Sequence, residues 1–196
     1  VNDTAGIVSF ADHATLKKQL THNKNDLINT INSLTANGAT NTGEGIRIAQ
    51  QELDLHSPNN AYPVIILMTD GLPTTHHQGY SWQSCENCPI SNNTCTNYAR
   101  SEANLSKAAN TSVFSIAFTE GIYGYCQQND TVDYANWLLL DISSGTDYFY
   151  TTADINTLEQ IYQNISSKIG QIVINNLQVT DYLPNNIEVL STGGGT

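Results

Sequence analysis

Two stretches of this sequence have the residue types and spacing for chemistry. Val64-Ile65-Ile66-Leu67-Met68-Thr69-Asp70-Gly71 is a continuous apolar run that ends abruptly in a carboxylate and a glycine. It reads as a strand buried on both faces that delivers an acid to its carboxyl end. That is the end of an open α/β sheet at which ligands bind, although Asp-Gly is also an ordinary turn pair. Upstream, Asn37-Gly38-Ala39-Thr40-Asn41-Thr42-Gly43-Glu44-Gly45 is a polar loop feeding a helix of about Gly43 to Leu55, with Ile46, Ala49 and Leu53 on one side. Hydroxyl and N–H groups gathered at a helix N-terminus either cap the helix or hold a ligand. A third group, Cys85-X-X-Cys88 with Cys95 and Cys126, has the residue types of a zinc site and equally of two disulfides. His76-His77 reads as a solvated loop feature.

The 196 residues make one domain of usual size with room for part of a second. Seven Lys and Arg against eighteen Asp and Glu give a net charge of −11, which repels phosphate backbones and anionic headgroups. Nucleic acid is therefore not an expected partner. No apolar run approaches the ~18–20 residues of a membrane span, so direct membrane insertion is not expected either. Asn-X-Ser/Thr triplets begin at Asn2, Asn92, Asn104, Asn110, Asn129 and Asn164. With four cysteines, three of them clustered, they point to an oxidising, extracellular setting and to disulfides. The expected pairing joins one of Cys85 and Cys88 to Cys95 and the other to Cys126.

The elements that must position these groups follow in order. Ala5 to Phe10 is a short strand, Thr15 to Leu20 a second, and Asn25 to Leu34 a helix with Leu27, Ile28, Ile31 and Leu34 in one stripe behind an Asp26 cap. After Asp70 a polar, cysteine-bearing stretch from Thr74 to Tyr98 reads as an insertion rather than a connection of usual length. A helix of about Asn97 to Asn110, a buried strand Val113 to Phe118, a helix of about Val132 to Ile142 and a strand Asp147 to Tyr150 come next. Asp154 caps a last helix with Leu158, Ile161, Ile165 and Ile169 on its apolar face. Strands alternating with helices predict an α/β fold with a doubly wound, mostly parallel sheet over residues 1–169. Ile172-Val173-Ile174, Leu177 to Val179 and Ile187 to Leu190 read as strands, making residues 170–196 a linker and the first strands of a β-rich stalk domain.

With these pieces placed, residues 1–169 resemble a von Willebrand factor type A domain, a Rossmann-like, integrin I-like fold also found in microbial surface and pilus-associated adhesins. Asp3 to Phe10 looks like that family's second strand, Gly38-Ala39-Thr40-Asn41-Thr42-Gly43 like its threonine loop, and Thr69-Asp70-Gly71 like its fourth strand with the metal-binding aspartate. Asp147 to Ile169 looks like its last strand and helix. The resemblance implies a metal-ion-dependent adhesion site (MIDAS) in which Thr40 is a direct hydroxyl ligand and Asp70 lies close to the ion, often through water. The family's remaining ligands come from an Asp-X-Ser-X-Ser motif at the end of its first strand, and that motif is absent from this sequence. Asp141-Ile142-Ser143-Ser144 has the wrong spacing. In this fold the first strand lies between the second and fourth, so leaving it out opens the sheet and strands backbone groups on both flanking strands. The expectation is that the first strand and helix lie upstream of Val1 in the natural protein, and that the chain does not fold alone without them.

Oxygen ligands imply a hard cation, Mg²⁺ or Mn²⁺, bound only when the upstream Asp-X-Ser-X-Ser motif is present. The implied partner is a protein that presents a carboxylate to the ion, or a neighbouring subunit of a surface fibre. No nucleophile–base pair, Walker-type glycine loop or zinc-protease helix is present, so no enzyme activity is expected. The leading expectation is an extracellular, cell-surface adhesion module; a structural or assembly subunit with a degenerate metal site is the alternative. An intracellular chaperone-like subunit of a metal-inserting or ATP-driven complex, which also uses this fold, is opposed by the cysteines and the triplets.

Overall fold

The computed structural model describes residues 3–78, 81–84, 93–119 and 131–175. Its elements, in chain order, are β1 (Ala5–Phe10), β2 (Ala14–Thr21), α1 (Lys24–Asn32), α2 (Thr42–His56), β3 (Val64–Thr69), β4 (Thr75–Gln78), β5 (Ser81–Ser84), α3 (Thr94–Ala108), β6 (Ser112–Phe118), α4 (Thr131–Ile142), β7 (Phe149–Thr152) and α5 (Leu158–Asn175). Strands β3, β6 and β7 form a three-stranded parallel sheet in the order β3-β6-β7, while β1 and β2 pair antiparallel in a sheet of their own. The expected α/β architecture with a parallel sheet between helices is present.

β6 is the fully buried strand that its sequence predicts. On one face Val113 and Ala117 meet Ile46 of α2, Ala99 and Ala103 of α3, and Leu138 of α4. On the other, Phe114 and Ile116 meet Ile161 and Ile165 of α5, with the Phe114 ring 4.7 Å from that of Tyr148. β3 departs from expectation. Ile65 and Leu67 are 6% and 4% exposed, but Ile66 and Met68 on the opposite face are 40% and 45% exposed. α5 covers this face over β6 and reaches β3 only at its margin, where the Tyr162 hydroxyl lies 4.0 Å from Met68 Sδ. The run is therefore apolar on both sides yet covered on one.

Several local expectations are corrected. The cap of α1 is Asn23, whose side chain accepts from Asn25 N–H and Asp26 N–H; Asp26, within the first turn, pairs instead with Lys18 at 2.6 Å. The stretch after Asp70 holds a β4–β5 hairpin with His77 opposite Trp82, which its polar residues do not signal by apolar alternation. His76 is buried, not solvated, with Nδ1 3.5 Å from Cys95 Sγ and its ring 6.4 Å from that of Tyr98. Asp154 caps the short 3₁₀ turn Ile155–Thr157 that leads into α5. The predicted strand Ile172-Val173-Ile174 is helical, because α5 runs on through Gly170 to Asn175. A helical glycine costs only about 1 kcal/mol relative to alanine, and Ile172 continues the stripe of Ile161, Ile165 and Ile169. The other tail strands expected, Leu177 to Val179 and Ile187 to Leu190, lie outside the described residues, as do Asn2, Asn92 and Asn129.

α2 and α3 cross closely at Gly43, where a Cβ would lie 2.4 Å from Tyr98 Cδ1. Gly43→Ala should push the Tyr98 ring aside and cost about 1–2 kcal/mol, overpacking outweighing the gain in helix propensity. A lowered urea midpoint at unchanged m-value is the expected reading.

Candidate metal centre

The polar loop before α2 is held from three directions. From the turn between β1 and β2, the Ala11 carbonyl accepts from Asn41 N–H (2.9 Å) and Asp12 Oδ1 accepts from Ala39 N–H (3.1 Å). From the segment after β3, Thr74 N–H donates to the Thr40 carbonyl (2.9 Å), while Thr40 N–H donates to Thr74 Oγ1 (2.9 Å). From α2, Glu44 N–H donates to Asn41 Oδ1 (3.3 Å), so Asn41 is the N-cap. Thr40 is thus fixed by its own backbone, with its side chain left over. Its Oγ1 lies 3.2 Å from the Cβ position of Gly71, next to Asp70.

Asp70 is exposed, and neither its carboxylate nor Thr40 Oγ1 takes a hydrogen bond among the described residues. Both residues line one end of a cavity of about 770 Å³ that runs between β1 and β3. The structure therefore brings together the two site residues picked out in the sequence. Two uncommitted oxygens, a neutral hydroxyl and a carboxylate, suit a hard divalent cation. They fit it as part of a donor set, and no group of three or more His, Cys, Asp or Glu able to hold an ion occurs among the described residues.

The supporting residues Asp12, Asn41 and Thr74 were not foreseen. Asn41 has a visible signal, since Asn-X-X-Glu before an apolar stripe is an N-terminal capping pattern. Asp12 and Thr74 act through contacts across 27 and 34 residues of chain, which local patterns do not carry. Gly38 is required beside Asp12: its φ is +91°, and a Cβ there would come within 2.6 Å of Asp12 Oδ2. Gly38→Ala should cost about 1–2 kcal/mol. It should also free the Ala39 amide from Asp12, seen as faster amide exchange across residues 38–41.

Of the four cysteines, Cys95 is buried at the start of α3 and is disulfide-bonded. Cys85, Cys88 and Cys126 lie outside the described residues, so its partner does too.

The model of the von Willebrand factor type A domain matches residues 1–164. The chain belongs to that family. No curated protein matches the sequence. Among solved structures, this von Willebrand factor A chain is similar to the vWF domain of the type V pili tip protein Mfa5 from Porphyromonas gingivalis, at 17% identity and a TM-score of 0.67. That match covers 91% of this chain and 83% of the other. It is also similar to a mutant of the PilB minor pilin from Streptococcus sanguinis (15% identity, TM-score 0.68, 89% of this chain and 51% of that one). A third is proximal thread matrix protein 1 from the mussel byssus, with a zinc-occupied MIDAS motif (21% identity, TM-score 0.56, 88% of this chain and 37% of that one). The chain spans about half the length of the pilin and little more than a third of the byssus protein. At such identities these likenesses establish the shared fold. No helix among the described residues is long and apolar enough to cross a membrane.

Proposed function

We propose that this von Willebrand factor A domain is an extracellular, non-enzymatic binding module of a surface fibre, and that it grips a partner protein's carboxylate through a divalent cation held in part by Thr40 and Asp70. The observation that carries this reading is the pair of uncommitted oxygens at one cavity mouth, Thr40 on a backbone held by Thr74 and Asp70 directly after the last residue of β3. The pilus tip protein, the minor pilin and the byssus protein with its zinc-occupied MIDAS support the same class of role.

Thr40 would supply a neutral hydroxyl and Asp70 a carboxylate, directly or through water. Mg²⁺ or Mn²⁺ suits such oxygen donors better than a softer ion does. A bound ion would supply Lewis acidity toward an anionic oxygen. The chain's own contribution is to hold the two donors without neutralising them: Asp12 and Thr74 take the loop amides, leaving the Thr40 hydroxyl for a ligand. Further donors come from polypeptide set beside this end of the cavity, in keeping with the expected Asp-X-Ser-X-Ser motif.

Calorimetric titration of the intact protein with MnCl₂ tests the reading. One saturable site, abolished by EDTA and weakened by Asp70→Ala, is expected; no saturable binding would overturn it. The second reading, an assembly subunit whose neighbours hold by packing alone, is favoured by the small number of donors among the described residues. It predicts fibre association that EDTA leaves unchanged.

A further inference from the structure

Asn37-Gly38 is the single Asn-Gly pair of the sequence. An asparagine followed by glycine is set for reaction with its own backbone: the next residue's amide nitrogen attacks the side-chain carbonyl carbon, and glycine places no Cβ beside that nitrogen. The attack requires a free amide. Gly38 N–H donates no hydrogen bond among the described residues, the Asn37 side chain makes none, and both residues are exposed.

Two asparagines just upstream supply the contrast. Asn25-Asp26 and Asn32-Ser33 also place a short polar residue after asparagine. Their attacking amides are engaged: Asp26 N–H donates to Asn23 Oδ1 at 3.3 Å, and Ser33 N–H donates to the Thr30 and Asn29 carbonyls at 3.1 and 3.2 Å. An amide held in this way reacts only after local opening. On the far side of Gly38 the chain is pinned, Ala39 N–H on Asp12, Thr40 N–H on Thr74 and Asn41 N–H on the Ala11 carbonyl. On the near side, residues 35–37 take part in no hydrogen bond among the described residues. The chain is therefore free to move where the ring must close and fixed directly after it.

We propose that Asn37 is a self-modification site, which exchanges its side-chain amide for a carboxylate in the folded protein and yields aspartate and isoaspartate. In the first step Gly38 N bonds to Asn37 Cγ and the Cγ–Nδ2 bond breaks. The Gly38 amide proton passes through water to the leaving nitrogen, and ammonia departs from a five-membered succinimide. In the second step water adds to the ring. Breaking the bond from Gly38 N to Cγ gives aspartate; breaking the bond from Gly38 N to the Asn37 main-chain carbonyl carbon gives isoaspartate. Water is the co-reactant, and nothing is oxidised or reduced. Either product adds one negative charge three residues before Thr40, at most about 11 Å away between Cα atoms. Only the gain in cation affinity that follows, about two- to fourfold at low salt, rests on the cation reading above.

The test incubates the intact protein in mildly alkaline, heavy-oxygen water with EDTA, so that failure of the cation reading leaves it unaffected. Electron-transfer fragmentation then locates the heavy oxygen and separates isoaspartate from aspartate. One heavy oxygen should enter at residue 37, with isoaspartate among the products, about tenfold or more faster than at Asn25 or Asn32. The same incubation in urea should release Asn25 and Asn32 from their engaged amides and speed both, while Asn37 stays within about threefold of its rate in the folded protein. Conversion at Asn37 no faster than at Asn25 and Asn32 in the folded protein would overturn the proposal. So would a rate at Asn37 that urea raises as much as it raises theirs.

Discussion

Replacing Glu44 by alanine should destabilise the chain by about 2–4 kcal/mol, a large effect for one exposed-looking polar residue in the sequence. Glu44 is 6% exposed. Its Oε2 accepts from Ala14 N–H at 2.9 Å and from Asn41 Nδ2 at 3.1 Å, and its Oε1 lies 3.4 Å from Arg47. Alanine takes the charged acceptor from the half-buried Ala14 amide and from one hydrogen of the Asn41 side-chain amide, which keeps its other bond, to the Asp12 carbonyl at 3.1 Å. Glu52 repeats the device two turns on, taking Leu20 N–H at 2.8 Å. Both glutamates of α2 thus hold amides of β2, and through β2 they hold β1 and the Thr40 loop. Glu44→Gln, which retains an acceptor oxygen, should recover part of the loss. Urea unfolding of the two variants measures it, and a Glu44→Ala protein as stable as the wild type would show that these buried contacts contribute nothing.

Asp70→Ala should weaken Mn²⁺ binding by the intact protein about 10–100-fold, the range seen when a group orienting or backing a bound metal is removed. Stability should change little, because the side chain is exposed and takes no hydrogen bond among the described residues. This combination separates a ligand from a structural residue: Glu44→Ala lowers stability first, whereas Asp70→Ala lowers affinity at unchanged stability. Thr40→Val, which keeps the shape and the backbone contacts to Thr74 while removing the hydroxyl, should resemble Asp70→Ala.

Much of the fold was legible because its signals are local. β6 announces itself by a run apolar on both faces, α2 by the stripe of Ile46, Ala49 and Leu53, and the order of the threonine loop and Thr69-Asp70-Gly71 points to the family. The errors arose where local and distant forces disagree. Gly170 reads as a breaker, yet the stripe from Ile161 to Ile172 carries α5 past it. The hairpin of β4 and β5 is polar in both strands, so nothing in its alternation marks it. His76 reads as solvated and is buried beside Cys95 by a contact 19 residues away. Thr40 and Asp70 were visible as site candidates because a hydroxyl-rich loop and a strand-end acid are patterns. Asp12 and Thr74, which hold that loop, are single polar residues whose role exists only in three dimensions.

Paramagnetic broadening of amide signals by substoichiometric Mn²⁺ tests the central claim most directly, because it reports position even where affinity is low. The predicted result is selective loss of the signals of residues 39–41 and 69–72, restored by EDTA and absent in Asp70→Ala. Broadening spread over the acidic surface, or centred on another carboxylate such as Asp147 or Asp154, would contradict a cation site built on Thr40 and Asp70.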